Sequence, residues 1–395
     1  VENVSFDYSK MNQRKNEVVS SIRSSLGGLI KANLINIFHG SAQFESQTSL
    51  KIIGQDNLVI DADKIIIATG SQPVDIGAFP CDHQKILNST SALALSELPK
   101  SIAIVGGGYI GCEFASLYSA LGVKVTIIEA LSSIVEAQGR SISQALTQAF
   151  NEKGIVLKTN TKVLKINNSQ DGLTITLSQN EQLEVDKAVI CVGRALNTKD
   201  LKLENIGLST ESNGSIKVDE KMETQIPGIY AIGDITSKAM LAHVASHQGI
   251  VAATNACGGS AKMHYNAIPA VIFTSPEIAS VGLTEEEALK KGLSFKVGKY
   301  PFKALGKSIA TNDTNGFAQV IADKETGEIY GAQVVGKDAS SLIGEMAIAI
   351  ANELTLECVS DTVHAHPTLP EAWLEASLIA NETPIHFPPK ISKKG

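Results

Sequence analysis

Six consecutive residues, Gly106-Gly107-Gly108-Tyr109-Ile110-Gly111, match G-x-G-x-x-G, and the acid Glu129 follows further along. The apolar run Ile102-Ala103-Ile104-Val105 precedes the glycines, and a helical pattern opens behind them. A strand–turn–helix corner of this kind lets backbone N–H groups approach a pyrophosphate. The first glycine permits the tight turn, the second admits the phosphates, and the third lets helix and strand pack closely. The helix start adds partial positive charge. At the end of the next strand, Glu129 would accept hydrogen bonds from a ribose diol and repel a 2′-phosphate. Ala130-Leu131-Ser132-Ser133 offers no Arg to neutralise such a phosphate. NAD is therefore expected over NADP.

Two further segments suit another dinucleotide. Ile229-Tyr230-Ala231-Ile232-Gly233-Asp234 runs from an apolar strand into Gly-Asp and leads to Met240-Leu241-Ala242-His243 at a helix start. A carboxylate at a strand end and free N–H groups at a helix start can hold a ribityl-pyrophosphate chain. Ala68-Thr69-Gly70-Ser71 offers a similar close backbone approach. His243 and His247 have the i, i+4 spacing of a zinc pair, but Val244 stands where Glu is wanted and no third ligand suggests itself, so no metal is expected. The five cysteines, Cys81, Cys112, Cys191, Cys257 and Cys358, show no redox or metal spacing. Cys112 inside a helix and Cys191 within a strand are expected to be buried and inert.

The elements that must position these residues alternate along the chain. A helix is expected from Tyr8 to about Ala32, then a strand entering the His39-Gly40 turn, a hairpin over Gln43–Ile60, and a continuous apolar strand over Lys64–Ala68. That strand reads as a buried parallel one, terminated by Thr69-Gly70-Ser71-Gln72-Pro73. Strand Ser101–Val105, helix Tyr109–Leu121, strand Lys124–Ile128, helix Ile142–Lys153 and strand Val156–Lys158 imply a parallel sheet with helical crossovers. Short antiparallel hairpins cover Val163–Val185, and Ala188–Val192 returns as a buried strand. An irregular stretch, 199–228, leads to strand Gly228–Gly233 and helix His243–Ala256. From about Ile268 the pattern becomes α+β, with strands at 270–273, 294–301, 317–323 and 329–335. Helices there span Glu285–Lys291, Ala339–Leu354 and Glu371–Ala380. Leu342, Ile343, Met346 and Ile350 read as core or dimer seam. The end, Phe387–Gly395, is expected to fray.

With 395 residues, 43% of them hydrophobic, two or three domains are expected, since single cores stop growing at roughly 250–300 residues. A net charge of −7 argues against nucleic-acid or membrane-surface partners. No window approaches the roughly 18–20 apolar residues of a membrane span. The start, Val1-Glu2-Asn3, reads as a cut edge rather than a signal peptide.

Taken together, Ala68–Ser71, Gly106–Gly111, Val192-Gly193-Arg194, Ala231–Asp234, Met240–His243 and His364-Ala365-His366-Pro367-Thr368-Leu369-Pro370-Glu371 occur in an informative order. It is the order found in the pyridine nucleotide–disulfide oxidoreductases. The last motif, followed by Ala372, most resembles that of the dihydrolipoyl dehydrogenases. The resemblance covers essentially the whole chain. It implies an α/β fold with two Rossmann-like domains, for FAD and NAD, and a C-terminal α+β dimerisation domain. The FAD domain would be discontinuous, 1–75 and 200–267, and incomplete at its N-terminus; the NAD domain would be 76–199 and the interface domain 268–388. FAD would be touched by Gly40, Thr69, Gly70, Ser71, Asp234, Met240, Leu241, Ala242 and His243. NAD would be touched by Gly106, Gly107, Gly108, Tyr109, Ile110, Gly111, Cys112, Glu113, Glu129, Val163 and Gly193, with Glu113 near the nicotinamide.

By the same resemblance His366 is the catalytic acid–base group and Glu371 the carboxylate that orients it, while His364 packs or hydrogen-bonds nearby. His366 would serve the other subunit's disulfide, so a homodimer is implied. The implied reaction oxidises protein-bound dihydrolipoyl-lysine with FAD and NAD⁺. Its clients would be lipoyl domains of 2-oxo acid dehydrogenase complexes or of the glycine cleavage system, in a bacterial cytoplasm or a mitochondrial matrix. The family's first G-x-G-x-x-G and its C-x4-C disulfide have no counterpart here. Two alternatives stay open: a soluble flavoprotein transhydrogenase, and a catalytically silent NAD-binding dimerisation fragment.

Overall fold

The computed structural model describes residues 5–169 and 171–388. The reading of Val1-Glu2-Asn3 and most of the expected fraying at Phe387–Gly395 therefore lie outside the described residues. The chain divides into two compact units, one of Val1–Asp75, Thr90–Leu98 and Gly193–His264, the other of Ile76–Ser89, Pro99–Val192 and Tyr265–Gly395.

In the first unit, helix Tyr8–Ala32 starts at Asp7, whose carboxylate accepts the N–H groups of Ser9 and Lys10 at 3.0 and 3.3 Å. None of its residues is buried, and Val19, Ile22, Leu26 and Leu29 lie exposed. The cap closes its start, and the Asn12 and Lys15 side chains donate to the Leu95 and Leu93 carbonyls at 2.9 and 2.6 Å. No strand forms over 33–40, contrary to expectation. The expected hairpin is a three-stranded meander, Ser41–Ser46, Ser49–Ile53 and Leu58–Asp61. Strand Ile65–Ile67 pairs in parallel with Ile229–Ala231, as its apolar run suggested. Only its alternate residues, Ile65 and Ile67, are buried; Ile66, on the other face, is 37% exposed. Ser71–Pro73, expected only to end the strand, is itself a strand, antiparallel to Arg194–Leu196. That pairing lies within this unit, which takes in the chain from Gly193.

In the second unit a five-stranded parallel sheet has the order Ile86–Asn88, Lys187–Ile190, Ser101–Val105, Lys124–Ile128, Val156–Lys158. Ile102, Ala103, Ile104 and Ile127 are fully buried at its centre. Helix Tyr109–Ala120 crosses between the two middle strands. An antiparallel sheet, Val163–Ser169, Gly172–Leu177 and Gln182–Val185, caps it over a shared apolar cluster. The buried strand expected over Ala188–Val192 is Lys187–Ile190. Cys191 lies just past it, half-buried rather than buried, whereas Cys112 is buried as expected.

The C-terminal part is a five-stranded antiparallel sheet, ordered Ala270–Ile272, Glu277–Gly282, Ile329–Gly336, Phe317–Asp323, Phe295–Pro301. Strand Glu277–Gly282 and helices Gly306–Thr311 and Leu356–Asp361 were not expected. Helices Ala339–Ala351 and Glu371–Ala380 bury Leu342, Ile343, Met346 and Trp373 against one face of the sheet. Trp373 is fully buried, and its indole N–H donates to the Leu342 carbonyl at 3.2 Å. Among the described residues no helix is long and apolar enough to cross a membrane.

Candidate active site

The glycine corner forms where strand Ser101–Val105 gives way to helix Tyr109–Ala120. Gly106 has φ +106°, and a Cβ there would stand 2.4 Å from the Cys191 carbonyl oxygen. A Cβ at Gly111 would lie 1.9 Å from the Gly106 carbonyl oxygen, so helix and turn meet too closely for any side chain. At Gly108, by contrast, a Cβ would meet nothing within 4 Å. The corner is thus tight where it packs and open where a phosphate would approach, and the residues fit a dinucleotide.

Glu129 follows the last residue of strand Lys124–Ile128 and lies against this corner. Its Oε2 accepts the Gly107 N–H at 2.5 Å and its Oε1 the Leu131 N–H at 2.7 Å. An ionised carboxylate has about four acceptor sites, so two bonds leave room for a diol. Glu113, on the same helix as Tyr109, accepts the Phe273 N–H at 2.9 Å. Burial holds its carboxyl above the usual glutamate range, partly offset by that bond. Cys112 donates from its thiol to the Gly107 carbonyl at 3.4 Å, and burial pushes the thiol up, with Glu129 and Glu113 adding to it. Burial likewise raises Cys191 to about 12. Neither thiol is a nucleophile at neutral pH. Val163 begins the capping sheet. Gly193, expected beside NAD, lies in the first unit, where its carbonyl accepts the Val74 N–H at 3.1 Å.

In the first unit, Thr69–Ser71 and Asp234 are brought together. The Ser71 hydroxyl donates to Asp234, and Arg194 donates to Ser71 through Nε (2.6 Å) and Nη2 (2.8 Å), its Nε standing 3.9 Å from Asp234. Thr69 and Asn197 exchange bonds of 2.7 and 3.0 Å. Gly233 donates its N–H to Gln248 Oε1 at 2.6 Å, tying the Gly-Asp turn to helix Ala242–Ala256. Gly70 has φ +67° with open space around it, which suits the close approach of a phosphate or ribityl group. Gly40 immediately precedes the meander, and a Cβ there would meet the Ile53 carbonyl oxygen at 2.7 Å. Arg194, Asn197 and Gln248 had no assigned role in the sequence, because nothing local marks a polar partner so far along the chain.

His366 and Glu371 are directly bonded, Nδ1 to Oε1 at 2.9 Å. Glu371 opens helix Glu371–Ala380, and its other oxygen accepts the Thr368 N–H at 2.8 Å. Burial would raise this carboxyl, but the Thr368 N–H and the His366 ring outweigh it and hold it below the usual glutamate range. With Nδ1 on the carboxylate, Nε2 is the nitrogen left to act, and the His366 side chain is 76% exposed. His364 is anchored instead, Nδ1 to the Thr362 carbonyl and Nε2 to Glu345, both at 2.9 Å. One turn beyond Glu371, the buried Glu375 accepts from His386 Nδ1 at 2.8 Å, a second imidazole–carboxylate pair that sequence spacing did not reveal.

The order of these features is matched by known proteins. Residues 1–249 match the family model for pyridine nucleotide-disulphide oxidoreductases, and 268–377 match that family's dimerisation domain. The chain belongs to the pyridine nucleotide-disulphide oxidoreductase family. It is 49% identical over 391 residues to a dihydrolipoyl dehydrogenase of Chlamydia pneumoniae, covering 99% of this chain and 84% of the relative. It is 39% identical over 390 residues to the dihydrolipoyl dehydrogenase of Geobacillus stearothermophilus, covering 98% and 83%. The mitochondrial dihydrolipoyl dehydrogenase of Pisum sativum is 36% identical over 394 residues, covering 98% and 79%. Among solved structures, LpdA of Mycobacterium tuberculosis superposes with a TM-score of 0.90 at 25% identity, covering 95% and 84%. The HOCl-induced flavoprotein disulfide reductase RclA of Escherichia coli superposes at 0.87 and 30%, covering 94% and 86%. As in this family, the fold combines FAD and NAD domains with a C-terminal dimerisation domain, and members use FAD and NAD.

Proposed function

We propose that this chain acts as a dihydrolipoyl dehydrogenase, oxidising protein-bound dihydrolipoyl-lysine to lipoyl-lysine with FAD and NAD⁺ as electron carriers. The observation that carries the reading is the His366–Glu371 pair, in a chain whose relatives bear that name. Glu371 fixes the proton on Nδ1 and turns Nε2 outward as a base. There His366 accepts a proton from one thiol of the dihydrolipoyl group, and the thiolate formed is the species able to attack a disulfide. The imidazolium, steadied by Glu371, then releases that proton to solvent, where it is the H⁺ formed alongside NADH in the overall oxidation. When bound, FAD and NAD supply the passage of two electrons from the dithiol to the nicotinamide.

For NAD, the residues proposed are Gly106–Glu113, Glu129, Val163 and Gly193. For FAD they are Gly40, Thr69–Ser71, Asp234 and Met240–His243. The domains proposed are 1–75 with 200–267 for FAD, 76–199 for NAD, and 268–388 for dimerisation. The match at 268–377 supports a homodimer, and lipoyl domains of 2-oxo acid dehydrogenase complexes or of the glycine cleavage system are the proposed partners. A bacterial cytoplasm is the proposed location; the pea relative, named mitochondrial, makes the matrix its alternative.

A second reading has an observation of its own. It is a silent NAD-binding dimerisation fragment, a reading that needs no redox disulfide; no two of the five cysteines stand as a C-x4-C pair. Mixing purified protein with dihydrolipoamide and NAD⁺, and following NADH together with the flavin spectrum, separates these. Yellow protein with turnover supports the dehydrogenase. Colourless protein that still binds NAD supports the fragment. Turnover of NADPH with NAD⁺, but none with dihydrolipoamide, indicates a transhydrogenase.

A further inference from the structure

Three glutamines in the second unit are almost wholly buried: Gln138, Gln319 and Gln333, at 6%, 1% and 2% exposure. A buried amide is costly unless its donors and acceptor are satisfied, and these three lie along one continuous chain of hydrogen bonds. Gln138 Nε2 donates to the Tyr109 hydroxyl oxygen at 2.7 Å, and Gln138 Oε1 accepts from the Ser280 hydroxyl at 2.6 Å. The Gln138 backbone carbonyl accepts from Gln333 Nε2 at 2.8 Å. Gln319 Nε2 then donates to Gln333 Oε1 at 3.2 Å and to Glu285 at 2.8 Å.

The strand register explains the far end of this chain. Ser280 stands opposite Gln333, and Gln333 opposite Gln319, on three adjacent strands of the C-terminal sheet. Their neighbours in sequence, such as Ala279, Val281, Val320 and Val334, enter the apolar core. Strand alternation therefore turns the polar row to the opposite face.

The near end belongs to the nucleotide corner. The turn carrying Gln138 is tied to it again by the Val135 N–H, which donates to the Gly107 carbonyl at 2.8 Å. The same turn is tied to the sheet side by the Arg140 N–H, which donates to Glu286 at 2.9 Å. At Gly139, φ is +84°, and a Cβ would stand 2.8 Å from Glu286 Oε2, so the turn lies directly against the Glu286 side chain. Swinging Tyr109 aside would orphan a buried amide N–H.

We propose that Gln138 is a positioning residue for the nucleotide: it locks Tyr109, at the first turn of the binding helix, to the Ser280–Gln333–Gln319 row. NAD affinity is thereby set in part by the dimerisation domain. The proposal rests on the reading of Gly106–Gly111 as an NAD site.

The test is calorimetric titration of the full chain with NAD, alongside thermal unfolding. Gln138→Leu and Tyr109→Phe each remove the same neutral hydrogen bond and should weaken NAD roughly three- to tenfold. Their double variant should be no weaker than the weaker single one, since both delete one link. Ser280→Ala, on the sheet side, should weaken NAD about twofold to fivefold by freeing Gln138. Unchanged NAD affinity in Tyr109→Phe, which keeps the ring, overturns the proposal even if Gln138→Leu fails to fold. Additive losses in the double variant, or a lowered unfolding midpoint with intact affinity in Gln138→Leu, overturn it as well. If the unmodified chain takes up no NAD, the nucleotide reading itself falls.

Discussion

Gly108 and Gly111 belong to one motif, yet a methyl group would meet very different surroundings at each. At Gly111 it would press on the Gly106 carbonyl from 1.9 Å, so Gly111→Ala should lower stability by about 1–3 kcal/mol and abolish NAD binding. At Gly108 it would enter open space, so Gly108→Ala should keep the unfolding midpoint while weakening NAD, because the methyl occupies the phosphates' approach. Paired thermal melts and NAD titrations check both; a Gly108→Ala protein with intact affinity would place the phosphates elsewhere. At the other site, His366→Asn should lower dihydrolipoamide turnover by roughly 10²–10⁴-fold, the usual contribution of a positioned base. The Glu371 carboxyl is held below its ordinary range. It therefore stays ionised through neutral and mildly acidic pH, and its stabilising contribution is lost only as pH falls through that lowered value.

The hairpin joining Phe317–Asp323 to Ile329–Gly336 depends on one carboxylate. Asp323 accepts the N–H groups of Thr326 and Glu325 at 2.7 and 2.9 Å and the Tyr330 hydroxyl at 2.7 Å. Those bonds, the Thr326 N–H first, then the Tyr330 hydroxyl and the Glu325 N–H, lower it to about 2. For a depressed acid the stabilisation is present above the unfolded value and disappears as pH falls through the folded one. Urea midpoints should therefore drop between pH 3.8 and about 2 in the unaltered protein. Asp323→Asn should show a flatter profile over the same window. Equal slopes would mean that the turn draws nothing from this charge. The helix Glu371–Ala380 leans on Trp373 in the same core. Trp373→Ala should cost about 3–5 kcal/mol in denaturant unfolding, and by loosening the helix that carries Glu371 it should also impair turnover.

For the molecule as a whole, the match to a dimerisation domain and the exposed ring of His366 belong together. A base whose free nitrogen faces outward can act on a group that its own chain does not hold. Specific activity should then fall on dilution in step with dimer dissociation, followed by sedimentation at matched concentrations. Full activity in a demonstrated monomer would confine the chemistry to one chain.

The sequence by itself determined what depends on near neighbours along the chain. The glycine corner with its strand and helix, the apolar parallel strands, the long first helix and the His366–Glu371 spacing all follow from short-range periodicity and turn chemistry. The order of motifs added the family. Only the tertiary structure decided the pairings between distant residues: Ser71 with Asp234 and Arg194, Glu375 with His386, and Gln138 with Tyr109 and Ser280. It also decided that Glu277–Gly282 is a strand, that 33–40 is not, and that Arg194–Leu196 pairs with Ser71–Pro73. Local propensity in short or mixed-polarity segments is weak, and the partner strand settles their state. A buried polar side chain likewise has no periodic signature; its partner is fixed by where the chain returns in space.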